Sequence, residues 1–372
     1  MNQFISYSGE FLTNNKNTNN IIFQNKTINK LNKNKYFNQI KNRFIINYKK
    51  NEKEIQNKIK IKEKKLNTIQ DSYFISPIFL NEIKNLKFGY ECEYLNNKIE
   101  FYTQKIIKNK IPNKLNTMFI IIQTIKDLFN RSYCSQKVIF YDLYNKKKLP
   151  TKKEDFINQE NCNSAFCTVI YNEKKNGDIV LFRNEELIKV LIHELLHANF
   201  VDYKIIHSNY QYELTNDICT SYSILINEAF TETLSSLLNM IYISLKTELT
   251  INIIYENEYN HMIYIFNKIL NHYNIKEIQD ILKNNGCKKE FKQKTNVFSY
   301  YVLKMLNYMF IDEFLNLVKK CTNNNFIIDN ELFNQYYIEF TLKHIEQLNK
   351  IIYKQKKIKG KNIRLTLYEL KL

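Results

Sequence analysis

Apolar residues recur at helical spacing over most of this chain and alternate only in short patches. "LNTMFIIIQTIKDLFN" (115–130) is apolar on nearly every side, which predicts a buried helix. "KVIFYDL" (137–143) is rich in β-branched and aromatic residues and predicts a strand, with a polar loop closing at Pro150. Two further β-rich runs, "AFCTVIY" and "DIVLF", flank polar "NEKKNG". That is a hairpin signal, with Gly177 taking a left-handed turn conformation. A helix follows, with Asn184 as N-cap and Glu185 and Glu186 in its first turn, running to about Phe200. Another spans about Ser221 to Leu245, and 250–350 keeps helical spacing throughout.

The beginning of the chain reads differently. Residues 1–35 are Asn/Lys-rich and weakly patterned, which predicts a loose arm. Residues 36–66 are charged and free of Gly and Pro, which predicts a long, exposed, basic helix. Between 71 and 111 there are short apolar runs punctuated by Pro77 and Pro112. The late stretch "KQKKIKGKNIR" carries six basic residues and no acid, and reads as solvated. The expected organisation is a basic arm and helix (1–70), a core (71–248) and a helical C-terminal domain with a basic tail (249–372).

Charge adds one question. Of the net +18, +11 falls in residues 1–70, which hold 15 Lys/Arg and four Glu. Such an arm is a possible nucleic-acid contact. Yet only Arg43, Arg131, Arg183 and Arg364 are arginines, the side chain whose fork suits phosphate and base edges. The abundance of Asn, Ile, Tyr, Phe and Lys is what AT-rich coding produces without any function. Against that bias the three alanines, Ala165, Ala198 and Ala229, all fall in one 65-residue window, as if small side chains were needed there. No apolar run approaches the roughly 18 residues of a membrane span, so no membrane association is expected. The start "MNQFISYSGE" lacks a secretory pattern, and seven scattered cysteines read as reduced thiols. An intracellular protein is the expectation.

Chemistry concentrates in "VLIHELLHANF" (190–200). On a helix His193 and His197 project from one face and can share a metal, while Glu194 beside them can reach a water without ligating. A third ligand is required. The pattern with a Gly at 200 and a His or Asp at 203 is excluded by Phe200 and Tyr203. Asp202, one position off, is the weaker alternative; Glu228 in "INEAFTETLS" is the better one.

This arrangement resembles the thermolysin-like gluzincins, which carry Asn-Glu-x-x-x-acid on a helix after the H-E-x-x-H helix. The resemblance implies Glu228 as third zinc ligand and Glu232 as the acid that hydrogen-bonds a ligand histidine. The family's usual acid at that place is aspartate, and the spacer from His197 to Glu228 is longer here than in thermolysin. A narrower resemblance, over about residues 115–240, is to uncharacterised H-E-x-x-H proteins of giant DNA viruses, which would place the chain in host cytoplasm or virion.

The fold so implied is α+β and predominantly helical. Its zincin-like core would hold a small sheet with an edge strand for substrate backbone, the H-E-x-x-H helix and the glutamate-ligand helix. The function implied is a zinc metallopeptidase acting on peptide or protein substrates, with Glu194 as general base. An oxyanion donor would come from the downstream half, where His207, His261, His272 and Tyr210 are candidates. The alternatives are a catalytically idle, zinc-stabilised interaction protein and a basic nucleic-acid-associated protein.

Overall fold

The computed structural model describes residues 31–55, 58–65, 74–107, 111–168, 175–202, 213–322, 328, 330–352, 360–370 and 372. The fold is α+β and mainly helical, with one six-stranded mixed sheet. The expected loose arm, His207 and Tyr210 lie mostly or wholly outside these residues.

Helix α1 (Lys35–Ile55) is not the exposed basic rod that its charges suggest. Phe37, Ile40, Phe44, Tyr48, Asn51 and Ile55 recur every three or four residues and bury one face. That stripe packs on α3 (Asn113–Leu128), where the Asn51 amide donates to Asp127 at 3.0 Å. The lysines occupy the remaining surface. The helix also stops earlier than expected, because "KIKEK" forms strand β1 (Lys60–Lys64) instead. The strand is exposed along nearly its whole length and is held by its pairing with β2. β1 is an edge strand whose lysines meet Glu91 and Glu100 of the next two strands, a charged border of the kind that blunts edge pairing.

After α2 (Pro77–Lys84), strands β2 (Phe88–Tyr94) and β3 (Asn97–Thr103) form a hairpin that the apolar runs did not specify. α3 then returns the chain to β4 (Gln136–Tyr141), parallel to β3. β5 (Ala165–Cys167) and β6 (Ile179–Leu181) complete the sheet in the order β1-β2-β3-β4-β6-β5. The expected hairpin is present, antiparallel and short. Gly177 is required for another reason than a left-handed turn: its φ is not positive, but a Cβ there would sit 2.0 Å from the Thr168 carbonyl.

One sheet face, with Ile99, Phe101, Val138 and Phe140, joins the core under α3. The other, with Tyr102, Tyr141, Val180 and Phe182, is closed by Phe79 and Ile83 of α2. The helical remainder comprises α4 (Leu187–Ala198), α5 (Ile226–Lys246), α6 (Ile251–His272), a π-helical turn (Phe298–Leu303), α7 (Lys304–Met309), α8 (Ile311–Lys320) and α9 (Asn330–His344). Cys219 and Cys287 are joined as a disulfide, against the expectation of reduced thiols throughout. Spacing could not reveal the pair, since the chain folds back to align segments 68 residues apart. No helix among the described residues is long and apolar enough to cross a membrane.

Of the basic stretch 354–364, residues 354–359 lie outside the described residues and Gly360 and Lys361 are exposed, while the chain turns inward from Ile363. Ile363, Leu365 and Leu367 are buried, and the Glu258 carboxylate of α6 accepts the backbone N–H groups of Leu367 and Tyr368 at 3.0 Å. The Tyr301 hydroxyl donates to the Ile363 carbonyl at 2.7 Å. Alternate apolar residues in "IRLTLY" carry the segment into the core while its polar residues find buried partners.

Leu367→Ala should therefore cost about 2–5 kcal/mol in chemical denaturation, the range for a cavity in a packed core. Ile46→Ala, at an exposed position of α1, should change stability by about 0.5 kcal/mol or less. Equal small losses at both would mean that the tail is solvated after all.

Candidate metal centre

Helix α4 is apolar on nearly every side and buried along almost its whole length. Its N-terminus is set otherwise than the sequence suggests. Asn184 does not cap it, but donates to Asp142 at 2.8 Å. Glu186 is the capping residue, held left-handed at φ 63°. That conformation costs about 1–2 kcal/mol for a non-glycine residue. Here it is offset by the Lys147 ammonium, 2.7 Å from one carboxylate oxygen, and by the Thr366 backbone N–H on the other. At the far end Asn199 donates to the Leu195 carbonyl and Phe200 takes φ 60°. The chain so turns back under the helix, which brings Asp202 to His197.

Helix α5 packs against α4 and presents Glu228 in its first turn. Ala198 and Ala229 are fully buried on these two helices, and Ala165 lies on the adjoining strand beside His193. The three alanines thus surround one place.

Three ligand atoms converge between the helices. His193 Nε2 and His197 Nε2 are 3.1 Å apart, and Glu228 Oε2 lies 3.3 and 3.6 Å from them. The outer nitrogen of each imidazole meets a different buried carboxylate. His193 Nδ1 is 3.1 Å from Glu232 Oε2, and His197 Nδ1 is 2.6 Å from Asp202 Oδ2. The Nδ1–H that His197 donates to Asp202 leaves its Nε2 lone pair aimed at the common point, while His193 Nδ1 lies close to Glu232 without a well-formed hydrogen bond. Asp202 is fixed in turn by the Asn227 amide at 3.1 Å and the Thr231 hydroxyl at 3.3 Å. It is therefore the partner of His197 and not a rival to Glu228. Glu232 is clamped by the buried ammonium groups of Lys189 and Lys304, the latter at 2.9 Å.

A metal ion fits this donor set. Bonds of about 2.0–2.1 Å in tetrahedral geometry give ligand-to-ligand edges of roughly 3.3–3.4 Å, and the three edges here straddle that value. Glu228 Oε2 is buried without a well-formed hydrogen bond. Among the described residues, His193, His197 and Glu228 are the His, Cys, Asp or Glu group placed to hold an ion. Without an ion, charge must come from the imidazoles. Burial works against a charged His197, yet Asp202 and Glu228 hold its pKa well above the ordinary value. Burial likewise opposes a charged Glu228, but the two histidines keep its carboxyl well below the carboxylate range. With Glu232 balanced by Lys189 and Lys304, the charges of Asp202 and Glu228 around the imidazoles are what a cation at the centre would offset.

Glu194 ligates nothing. It lines a cleft with His193, Ala165 and Tyr300, and burial raises its pKa, with Glu228 adding to the effect. A carboxylate whose proton affinity is raised is suited to taking a proton and giving it up again.

Tyr300 was not singled out among 27 tyrosines. It sits on the π-helical turn, a distortion that recurs at functional sites, with its ring edge-on to His193 at 6.0 Å between centroids. Burial, then the charge of Glu228, keeps its phenol protonated. His261 and His272, the candidate donors from sequence, have other work. His261 Nε2 meets the Arg364 carbonyl at 3.1 Å and His272 Nε2 the Asp155 carbonyl at 3.0 Å, and neither lines the cleft. Burial drives His261 down to about 3, so it stays neutral.

The wall of the cleft is the sheet edge. Ser164 accepts from the Phe182 N–H at 2.9 Å, and Thr168 donates to the Asp178 carbonyl at 2.8 Å. By antiparallel alternation, the backbone groups of Ala165 and Cys167 point away from β6, along the open edge.

Compared with protein-family models, curated proteins and solved structures, the chain matches none of them.

In a chelating buffer Glu232→Ala should cost about 3–5 kcal/mol, because Lys189 and Lys304 would remain buried without a counter-charge. Glu228→Ala under the same conditions should cost about 1 kcal/mol or less, since both histidines keep their outer carboxylates. Thermal denaturation of the two variants measures the contrast; a reversed order would mean that Glu228 is the structural acid.

Proposed function

We propose that this chain is a zinc-dependent metallopeptidase with a gluzincin-like site. The observation that carries the reading is three converging ligand atoms beside a cleft lined by one of them, His193, together with the non-ligating Glu194 and Ala165 of the edge strand β5. His193, His197 and Glu228 would hold Zn²⁺, while Glu232 and Asp202 would fix the two imidazoles. When bound, zinc supplies Lewis acidity toward a carbonyl and makes a water acidic enough to act near neutral pH.

The chain's own residues do the rest. The outward backbone groups of Ala165 and Cys167 would pair with an extended peptide, setting its carbonyl over the cleft. Glu194 takes a proton from the attacking water and delivers it to the departing amine. The Tyr300 phenol, kept protonated, donates toward the oxygen on which charge develops. Each group acts at a different atom of one tetrahedral arrangement, which is what hydrolysis of an amide requires.

Purified protein should carry about one zinc per chain, and His197→Ala should abolish it. Metal analysis of both proteins tests this, and stoichiometric zinc in the variant would place the site elsewhere.

Glu194→Gln should keep the zinc and stay within about 1 kcal/mol of wild-type stability, because no ligand is lost. Its cleavage of a broad peptide library should fall at least about 10²-fold, and Tyr300→Phe should lower kcat with KM little changed. Wild-type protein that holds zinc and cleaves nothing would favour the idle scaffold.

A further inference from the structure

The cleft beside His193 is itself a small recess, with free volume of about 40 Å³, room for a few waters or one carboxylate group. His193, Glu194 and Tyr300 line it, so whatever enters lies next to the reacting atoms. Its other walls come from α4, the segment before β5, the loop carrying Lys147 and the buried tail. A side-chain recess beside a peptidase centre is usually apolar. This one is not.

Two buried lysines, Lys147 and Lys189, reach its surface. An ammonium group carries three N–H donors. Lys147 Nζ has one side-chain acceptor among the described residues, Glu186 Oε2, and Lys189 Nζ likewise has Glu232 Oε2. Neither carboxylate has an oxygen left over. Glu186 Oε1 accepts the Thr366 N–H, and Glu232 Oε1 accepts from Lys304. Just before β5, the buried Ser164 hydroxyl, which also lines the recess, has no partner among the described residues. The recess therefore has donors in surplus on Lys147, Lys189 and Ser164, and its open acceptor is the Glu194 carboxylate. Glu194 stands at one wall and opposes an anion, and the Lys189 ammonium offsets it in part.

We propose that this recess is a specificity subsite for a substrate carboxylate, held by Lys147, Lys189 and the Ser164 hydroxyl. Such a carboxylate comes either from an Asp or Glu side chain at a fixed position from the cleaved bond, or from the free C-terminus of a short peptide. The inference rests on the peptidase reading for what that substrate is, though the recess can be tested by binding alone. An amide of the same size makes a poor substitute, since it offers the three donor groups one acceptor oxygen in place of two and brings no charge to the ammonium groups.

The test uses purified Glu194→Gln protein, chosen so that bound peptides persist. Three sets of hexapeptides are titrated calorimetrically: C-terminal amides with one central Glu, the same amides with Gln or Leu in its place, and the Gln and Leu peptides as free acids. We expect a carboxylate-bearing peptide to bind at least tenfold more tightly than its Gln or Leu amide. The Glu amide winning identifies a side-chain carboxylate, and the free acids winning identifies a C-terminus. Ser164→Ala should reduce the preference severalfold. Lys147→Gln combined with Glu186→Gln, which keeps a hydrogen-bonded pair without charge, should bring it below threefold. Equal binding of all peptides, or none at all, would overturn the proposal. Wild-type protein that cleaves without regard to carboxylates would overturn it while leaving the peptidase reading intact. Carboxylate-selective binding without any cleavage would do the opposite.

Discussion

One buried carboxylate, Glu232, holds the centre of this molecule together. Its two oxygens meet Lys189 and His193 of α4 on one side and Lys304 of α7 on the other, and Lys304 also donates to the Leu365 carbonyl at 2.9 Å. Four parts of the chain, α4 with its His193 imidazole, α5, α7 and the tail, are thereby fixed relative to one another. Buried ion clusters are costly to desolvate and survive only when every member is bonded. Glu232 meets that condition with three partners, and its carboxyl is accordingly held well below the ordinary range against the penalty of burial, chiefly by Lys189 and Lys304. Its removal would release the orientation of the one histidine that faces the recess.

The same device is repeated more lightly at His197. Asp202 reaches it because the chain leaves α4 through a left-handed Phe200, and Asn227 and Thr231 of α5 hold the carboxylate from beyond. Two imidazoles are thus aimed from behind by two acids, one on each of two elements. Precision of this sort needs a rigid frame. The frame is supplied by the close crossing of α4 and α5 over small residues and by the sheet edge that packs beside them.

Much of the site could be read from the chain because it is local. His193, Glu194 and His197 fall within one helical turn and a little more, and Glu228 and Glu232 within another. The parts that could not be read are those that depend on distant segments meeting. Asp202 looked like a stray ligand because its turn toward His197 comes from backbone conformation, not spacing. Tyr300 was one tyrosine among many until a π-helical turn set it against His193. Lys147, Lys189 and Lys304 counted only toward net charge, although all three are buried in ion pairs at the centre. For the fold, long apolar helices were legible, while β1 to β3 were obscured by lysine and by short runs. Charge density misled at α1, because apolar residues at helical spacing let a basic segment pack on one side and remain solvated on the other.

The central claim is that two imidazoles and Glu228 are arranged around one metal ion. X-ray absorption at the zinc edge, on protein purified without added chelator, tests it most directly. The account predicts a first coordination sphere of nitrogen and oxygen only, with two imidazole nitrogens and a carboxylate oxygen at about 2.0–2.2 Å, and loss of the imidazole signal in His193→Ala. Sulfur neighbours at about 2.3 Å, or a spectrum unchanged in that variant, would contradict it.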